Sequence, residues 1–206
     1  MKALIIVDVQ YDFLPGGALG VTGGDKIIPI INRLQEHFQF IVATQDWHPA
    51  KHGSFAANHR GKEVGEFVEL GGVNQILWPV HCVQDSPGAA FHADLDKRRW
   101  ANIFQKGTEP TVDSYSGFYD NNLKQDTGLA RYLKKHQITD VYVVGLAADY
   151  CVKFTVLDAL KEGFNTYLIS DATKAVNLKP SDFEDAIQEM ANAGAHIIES
   201  KDILEN

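Results

Sequence analysis

The chain has 206 residues, 45% of them hydrophobic, and a formal net charge of -8. That length supports one well-buried domain and is short for two, so a single domain over residues 1–206 is expected. An acidic chain repels nucleic acid and anionic lipid, and no stretch approaches the roughly 20 apolar residues of a membrane helix, so neither partner is expected.

Residues 3–7 form a continuous aliphatic run and predict a strand buried on both faces. The run ends at Asp8, too short for a signal-peptide core, which points to the cytoplasm. Cys82 and Cys151 are then expected as reduced thiols rather than a disulfide. The run containing Gly16, Gly17, Gly20, Gly23 and Gly24 departs from G-x-G-x-x-G and reads as a flexible loop with no dinucleotide role. Ile27, Ile31, Leu34 and Phe38 follow at helical spacing, with Pro29 suited to the first turn.

Residues 40–44 predict a second strand. Residues 47–100 are rich in Gly, His and Pro, and a loop-rich stretch of that length is usually functional; the metal and substrate sites are expected there. Residues 103–105 predict a third strand. Asp126 is expected to cap a helix carrying Leu129, Tyr132 and Leu133. Residues 141–144 predict a fourth strand. Asp149 is expected to cap a helix with the inner stripe Val152, Val156, Ala159 and Leu160, stopped by Gly163. Residues 166–169 predict a fifth strand. Ser181 and Glu184 read as a capping box for a helix with Phe183, Ile187 and Met190 inward and Gly194 at its end. His196–Ile198 predicts a sixth strand. Strands alternating with helices predict an α/β fold: a doubly wound, mainly parallel six-stranded sheet with helices on both faces.

In open parallel sheets ligands bind beyond the carboxyl ends of the strands. Asp8 follows the first strand, Asp46 and His48 the second, Lys106 the third, and Ala147 to Cys151 the fourth. An acid, a metal-type pair, a base and a thiol therefore share one edge. Cys151 falls in the first turn of a predicted helix, where backbone N–H groups and the dipole favour thiolate. The bland alternative is a small buried hydrophobe; for Asp8 it is a strand-end cap, and for Lys106 a surface charge. Their joint placement favours nucleophile, proton acceptor and charge partner. Asp46 and His48, two apart in extended backbone, face one way. With His81 they make two imidazoles and a carboxylate, a set suited to zinc, iron or manganese. His52, His59 and His92 compete as ligands, and Cys82 reads as a bystander.

These motifs resemble the nicotinamidase/pyrazinamidase branch of the isochorismatase-like cysteine hydrolases. The match runs through Val7-Asp8-Val9-Gln10, Thr44-Gln45-Asp46-Trp47-His48-Pro49, Trp78-Pro79-Val80-His81-Cys82, Lys106-Gly107-Thr108, Asp113-Ser114-Tyr115-Ser116-Gly117-Phe118 and Gly145 to Val152. The resemblance implies a catalytic triad of Asp8, Lys106 and Cys151, and a divalent metal, zinc first, on Asp46, His48 and His81. It implies a pyridine ring walled by Phe13, Trp78 and Tyr115. It also implies an oxyanion hole from the N–H groups of Ala147 and Cys151, preceded by a cis peptide at Leu146–Ala147. Ser54 or His52 falls where some relatives carry a further ligand, and that position stays open. The implied substrate is nicotinamide, hydrolysed to nicotinate and ammonia; a homo-oligomer is compatible with the sequence. Sister chemistries on isochorismate or N-carbamoyl compounds fit less well. The first needs no thiol and the second no metal motif.

Overall fold

The computed structural model describes residues 1–205. Strands β1 (Lys2–Val7), β2 (Phe40–Asp46), β3 (Phe67–Leu70), β4 (Val73–Ile76), β5 (Asn102–Lys106), β6 (Asp140–Leu146), β7 (Asn165–Lys174) and β8 (His196–Ile198) form two sheets. The large one is six-stranded in the order β5-β2-β1-β6-β7-β8, and every pairing in it is parallel. The small one is an antiparallel hairpin of β3 and β4, inside the loop-rich region. Sequence gave no sign of that hairpin, because its four-residue strands are half exposed and carry no long apolar run.

Helices α1 (Ile28–Gln35), α2 (Leu129–Lys135), α3 (Lys153–Lys161), α4 (Asp182–Asn192) and α5 (Lys201–Leu204) cover the two faces. The alternation of β1 decides the layers. Leu4 and Ile6 point into one core with Ile28, Ile31 and Leu34 of α1, against which Ile203 and Leu204 of α5 pack. Ala3, Ile5 and Val7 point into the other, with Leu129, Val156 and Met190 of α2, α3 and α4. Both faces of β1 are thus covered, which is why it reads as an unbroken aliphatic run. Among the described residues no helix is long and apolar enough to cross a membrane.

The expected strands all form, most of them longer than expected, but the expected caps do not. Leu129 N–H is taken by the Thr127 hydroxyl at 3.2 Å, while Asp126 pairs with Arg131. Gly128, in the left-handed region at φ 85°, sits at the N-cap of α2 and leaves no side chain there. Asp149 lies inside a π-helical turn, Ala148–Val152, and its carboxylate points away from the start of α3. Ser181 is helical at φ -89° and ψ -5°, so its hydroxyl makes no cap; Asn177 accepts the Phe183 N–H instead, at 3.1 Å. By contrast Gly163 (φ +86°) ends α3 as expected, with Phe164 N–H reaching Ala159 carbonyl at 3.1 Å.

Candidate active site

The strand order reverses at β1. The chain goes out to β2 and β5, then returns to place β6 on the other side of β1. A crevice opens at such a switch point, and the predicted residues gather at it or directly beneath it. Asp8 leaves the end of β1 with φ 48°, a left-handed conformation that Asp tolerates better than most side chains. Gly145 at φ +114° lets β6 approach β1 there: a Cβ would meet Val7 O at 2.1 Å. The chain then turns through a cis peptide at Leu146–Ala147 into the turn that carries Cys151, as the resemblance implied.

Lys106, at the end of β5, is the hub. Its Nζ lies 2.6 Å from Asp46 Oδ1, 2.9 Å from Asp8 Oδ2, 2.8 Å from the Ser114 carbonyl and 3.4 Å from Cys151 Sγ. Its side chain is fully buried. Burial alone would drive the ammonium toward neutrality, but Asp46, Asp8 and Cys151 outweigh it and hold its pKa well above the ordinary value. Burial also works against charge on Asp46, where Lys106 and His48 win and hold the carboxyl well below its usual range. On Asp8 burial prevails over Lys106, and Asp46 adds to it, so this carboxyl is raised. Thr44 Oγ1 donates to Asp8 Oδ1 at 2.6 Å, while Asp8 Oδ2 has no directed hydrogen bond.

Cys151 corrects the expectation of a thiolate. Burial pushes its pKa well above normal, Lys106 offsets this only in part, and Asp8 and Asp46 add to the rise. The first turn is π-helical and the thiol sits beneath the surface, so the desolvation cost exceeds what the helix start and Lys106 return. Cys82 is buried, and its thiol is pushed up by burial.

The metal-type residues converge as well. His48 Nε2 lies 3.1 Å and His81 Nε2 3.5 Å from Asp46 Oδ2. The other ring nitrogens are engaged: His48 Nδ1 meets Gly107 O at 2.9 Å, and His81 Nδ1 meets Pro79 O at 2.8 Å. With Nδ1 on a carbonyl, each imidazole aims its Nε2 at the shared Asp46 oxygen, the outer-sphere arrangement of metal-ligating histidines. Gly107 is required there, because a Cβ would meet the His48 ring at 2.4 Å. Gln10 fixes the carboxylate's backbone, accepting from Asp46 N–H and donating to its carbonyl, each at 2.8 Å. The donor set, buried and of one hard and two borderline ligands, fits a divalent transition ion.

A second cluster, His48, His52 and Asp113, is also close enough to share an ion. His52 argues against that use. Its Nδ1 accepts from the Ser54 hydroxyl and N–H at 2.7 and 3.2 Å, and its Nε2 donates to Val112 O at 3.2 Å. Burial, then His48, push its pKa down to about 4. Both Ser54 and His52 therefore stand behind His48, with the two imidazole centroids 4.3 Å apart. His59 bonds to Gly53 O at 2.7 Å and His92 leans on Tyr11, so neither joins the ligand set.

One pocket is lined by Phe13, Trp78, Tyr115, Ala147 and Cys151, together with Asp46 and His81. Leu19, Asp113, Tyr150 and Val176 complete it, and sequence reasoning missed all four. Leu19 comes from the glycine-rich run, whose apolar residue was the available signal. Tyr150 adjoins the nucleophile, and its ring packs edge-on against Trp78 at 4.8 Å. Val176, in a short loop after β7, carried no signal.

An isochorismatase-domain family model matches residues 2–202. The nicotinamidase of Escherichia coli (strain K12) is 48% identical over 198 residues, covering 94% of this chain and 92% of its own. Among solved structures, the nicotinamidase/pyrazinamidase of Acinetobacter baumanii superposes with a TM-score of 0.95 at 48% identity, covering 98% of each chain. The pyrazinamidase of Pyrococcus horikoshii, solved in complex with zinc, does so at 0.78 and 43% identity, covering 96% of this chain and 98% of its own. The reach of the family model, together with relatives of this identity and coverage, establishes that the chain belongs to the isochorismatase-domain family.

Proposed function

We propose that this protein is an amidohydrolase that converts nicotinamide to nicotinate and ammonia, and pyrazinamide to pyrazinoate and ammonia. The observation that carries the reading is a thiol that lines an aromatic pocket and lies 3.4 Å from a buried ammonium, which also touches a buried carboxylate. The identity to proteins named nicotinamidase supports the choice of amide.

Asp8 Oδ2, raised by burial and lacking a directed hydrogen bond, takes the Cys151 proton. The sulfur attacks the carboxamide carbon, and Lys106 holds the developing negative charge on sulfur before the bond forms. The tetrahedral oxyanion accepts from the N–H groups of Ala147 and Cys151. Asp8 returns its proton to the leaving nitrogen, the C–N bond breaks, and ammonia departs from a thioester. Asp8 then deprotonates a water that attacks the thioester, and nicotinate leaves as the thiol recovers its proton. Phe13, Trp78 and Tyr115 wall the ring throughout. Asp46, His48 and His81 would hold a divalent ion, zinc first with iron and manganese as alternatives; when bound it supplies a Lewis-acid position for the ring nitrogen.

Ammonia release from nicotinamide, pyrazinamide and benzamide by the purified, metal-loaded protein tests this reading. Nicotinamide and pyrazinamide share a ring nitrogen meta to the carboxamide and should both turn over. Benzamide lacks it and should be a poor substrate, because misplacing a reacting group by about 1 Å costs on the order of a hundredfold. No ammonia from nicotinamide would refute the function. Benzamide cleaved as efficiently as nicotinamide would refute the ring-nitrogen role alone.

A further inference from the structure

Asp149 stands two residues before Cys151 in the same turn, is buried, and makes no contact with the reacting groups named above. Its carboxylate crosses instead to the loop that follows β7. Oδ1 accepts the Val176 N–H and Oδ2 the Asn177 N–H, both at 2.9 Å. Two adjacent backbone donors meet two carboxylate oxygens, a charge-assisted pair that fixes direction as well as distance. Asn177 is held at φ 55°, and its own Oδ1 takes the Phe183 N–H at the start of α4. The clamped residue Val176 is a wall of the pocket that holds Cys151. The chain between β7 and α4 is otherwise without regular structure, and the carboxylate ties that wall to the nucleophile's own turn.

We propose that Asp149 is a positioning residue: it pins the loop after β7 so that Val176 closes the aromatic pocket opposite the nucleophile and sets how tightly the amide's ring is held. The proposal rests on the amidase reading above. The chemistry explains the residue type. An Asn there offers one carbonyl oxygen and one NH2, and the NH2 would face a backbone N–H, donor against donor. The shape is kept and half of the clamp is lost.

The experiment compares Asp149→Asn, Val176→Ala and the double variant with wild type, using nicotinamide as substrate and nicotinate as a binding probe. If the clamp acts through Val176, Asp149→Asn and Val176→Ala each raise KM for nicotinamide and Kd for nicotinate about tenfold, with a much smaller change in kcat. In the double variant the effects are then non-additive, close to that of Val176→Ala alone, because both remove one wall. A merely structural role would lower Tm without this coupling. A loss in kcat at unchanged KM, or fully additive effects, overturns the proposal. Should Asp149→Asn not be recovered folded, Val176→Ala decides: an unchanged KM and nicotinate Kd there overturn it as well. Failure of wild type to release ammonia would count against the amidase reading and is distinguished by the wild-type arm.

Discussion

The ammonium of Lys106 has three hydrogens and four close neighbours: Asp8, Asp46, the Ser114 carbonyl and Cys151. The competition leaves Asp8 Oδ2 as the under-bonded acceptor, which suits a group that must accept and return a proton. Cys151 has no substitute in this arrangement. Cys151→Ala should lower kcat for nicotinamide by at least about 10⁴-fold while metal content stays at the wild-type level, and Cys82→Ala should keep most of the activity. Amide assays paired with metal analysis check both, and a dead Cys82 variant would move the nucleophile. His52 yields a second prediction, of stability rather than rate. Its pKa of about 4 in the folded chain lies below the ordinary histidine value of 6.5, so the unfolded chain binds more protons between the two. The stability that neutral His52 permits is fully present above about pH 6.5 and is lost as pH falls toward 4, by roughly 3 kcal/mol at most. Urea unfolding of wild type and His52→Asn at pH 7 and 4.5 should show a smaller acid loss in the variant.

At the scale of elements, α4 depends on a distant residue for its start. Ser181→Ala removes a hydroxyl that makes no cap bond and should change stability by less than about 0.5 kcal/mol. Asn177→Ala removes the acceptor for Phe183 N–H and places Ala in a left-handed conformation; roughly 2 kcal/mol should be lost. Thermal unfolding of the two variants ranks them. This is also where the sequence was least legible. Periodicity located every strand of the large sheet because β1, β2 and β6 are buried on both faces and leave unbroken apolar runs. The cap assignments at Asp126, Asp149 and Ser181 rested on local spacing; Arg131 takes the first carboxylate, the loop after β7 takes the second, and the helical backbone of Ser181 aims its hydroxyl away from a cap. Residues at the strand ends were legible because topology alone sends them to one edge. Val176 was not, because nothing local distinguishes a pocket wall from a loop filler.

For the molecule as a whole, the buried cluster of Asp46, His48 and His81 joins the end of β2 to the loop-rich region, and a bound ion would bind only the folded chain. At a free ion concentration a hundredfold above Kd such binding adds about 2.7 kcal/mol of stability. Stripping metal with a chelator should therefore lower Tm by roughly 5–10 °C for a chain of this size, and added zinc should restore it. His48→Ala and His81→Ala should make Tm insensitive to the chelator; calorimetry with and without zinc reads this directly.

The central strand carries a consequence in time. β1 precedes every other strand of its sheet in the chain, yet its partner β6 pairs Lys2 with Asp140 and Val7 with Gly145. On a ribosome adding about 5–20 residues per second, β1 waits roughly 7–28 s for that neighbour to be made. Until then only the β2 side of β1 can be paired, and the other edge is an aliphatic ribbon that invites association with another chain. The nucleophile follows β6, on the far side of that late-made junction. Catalytic competence is thus one of the latest properties the nascent chain acquires, and recovery of activity on refolding from denaturant should lag the recovery of helical signal.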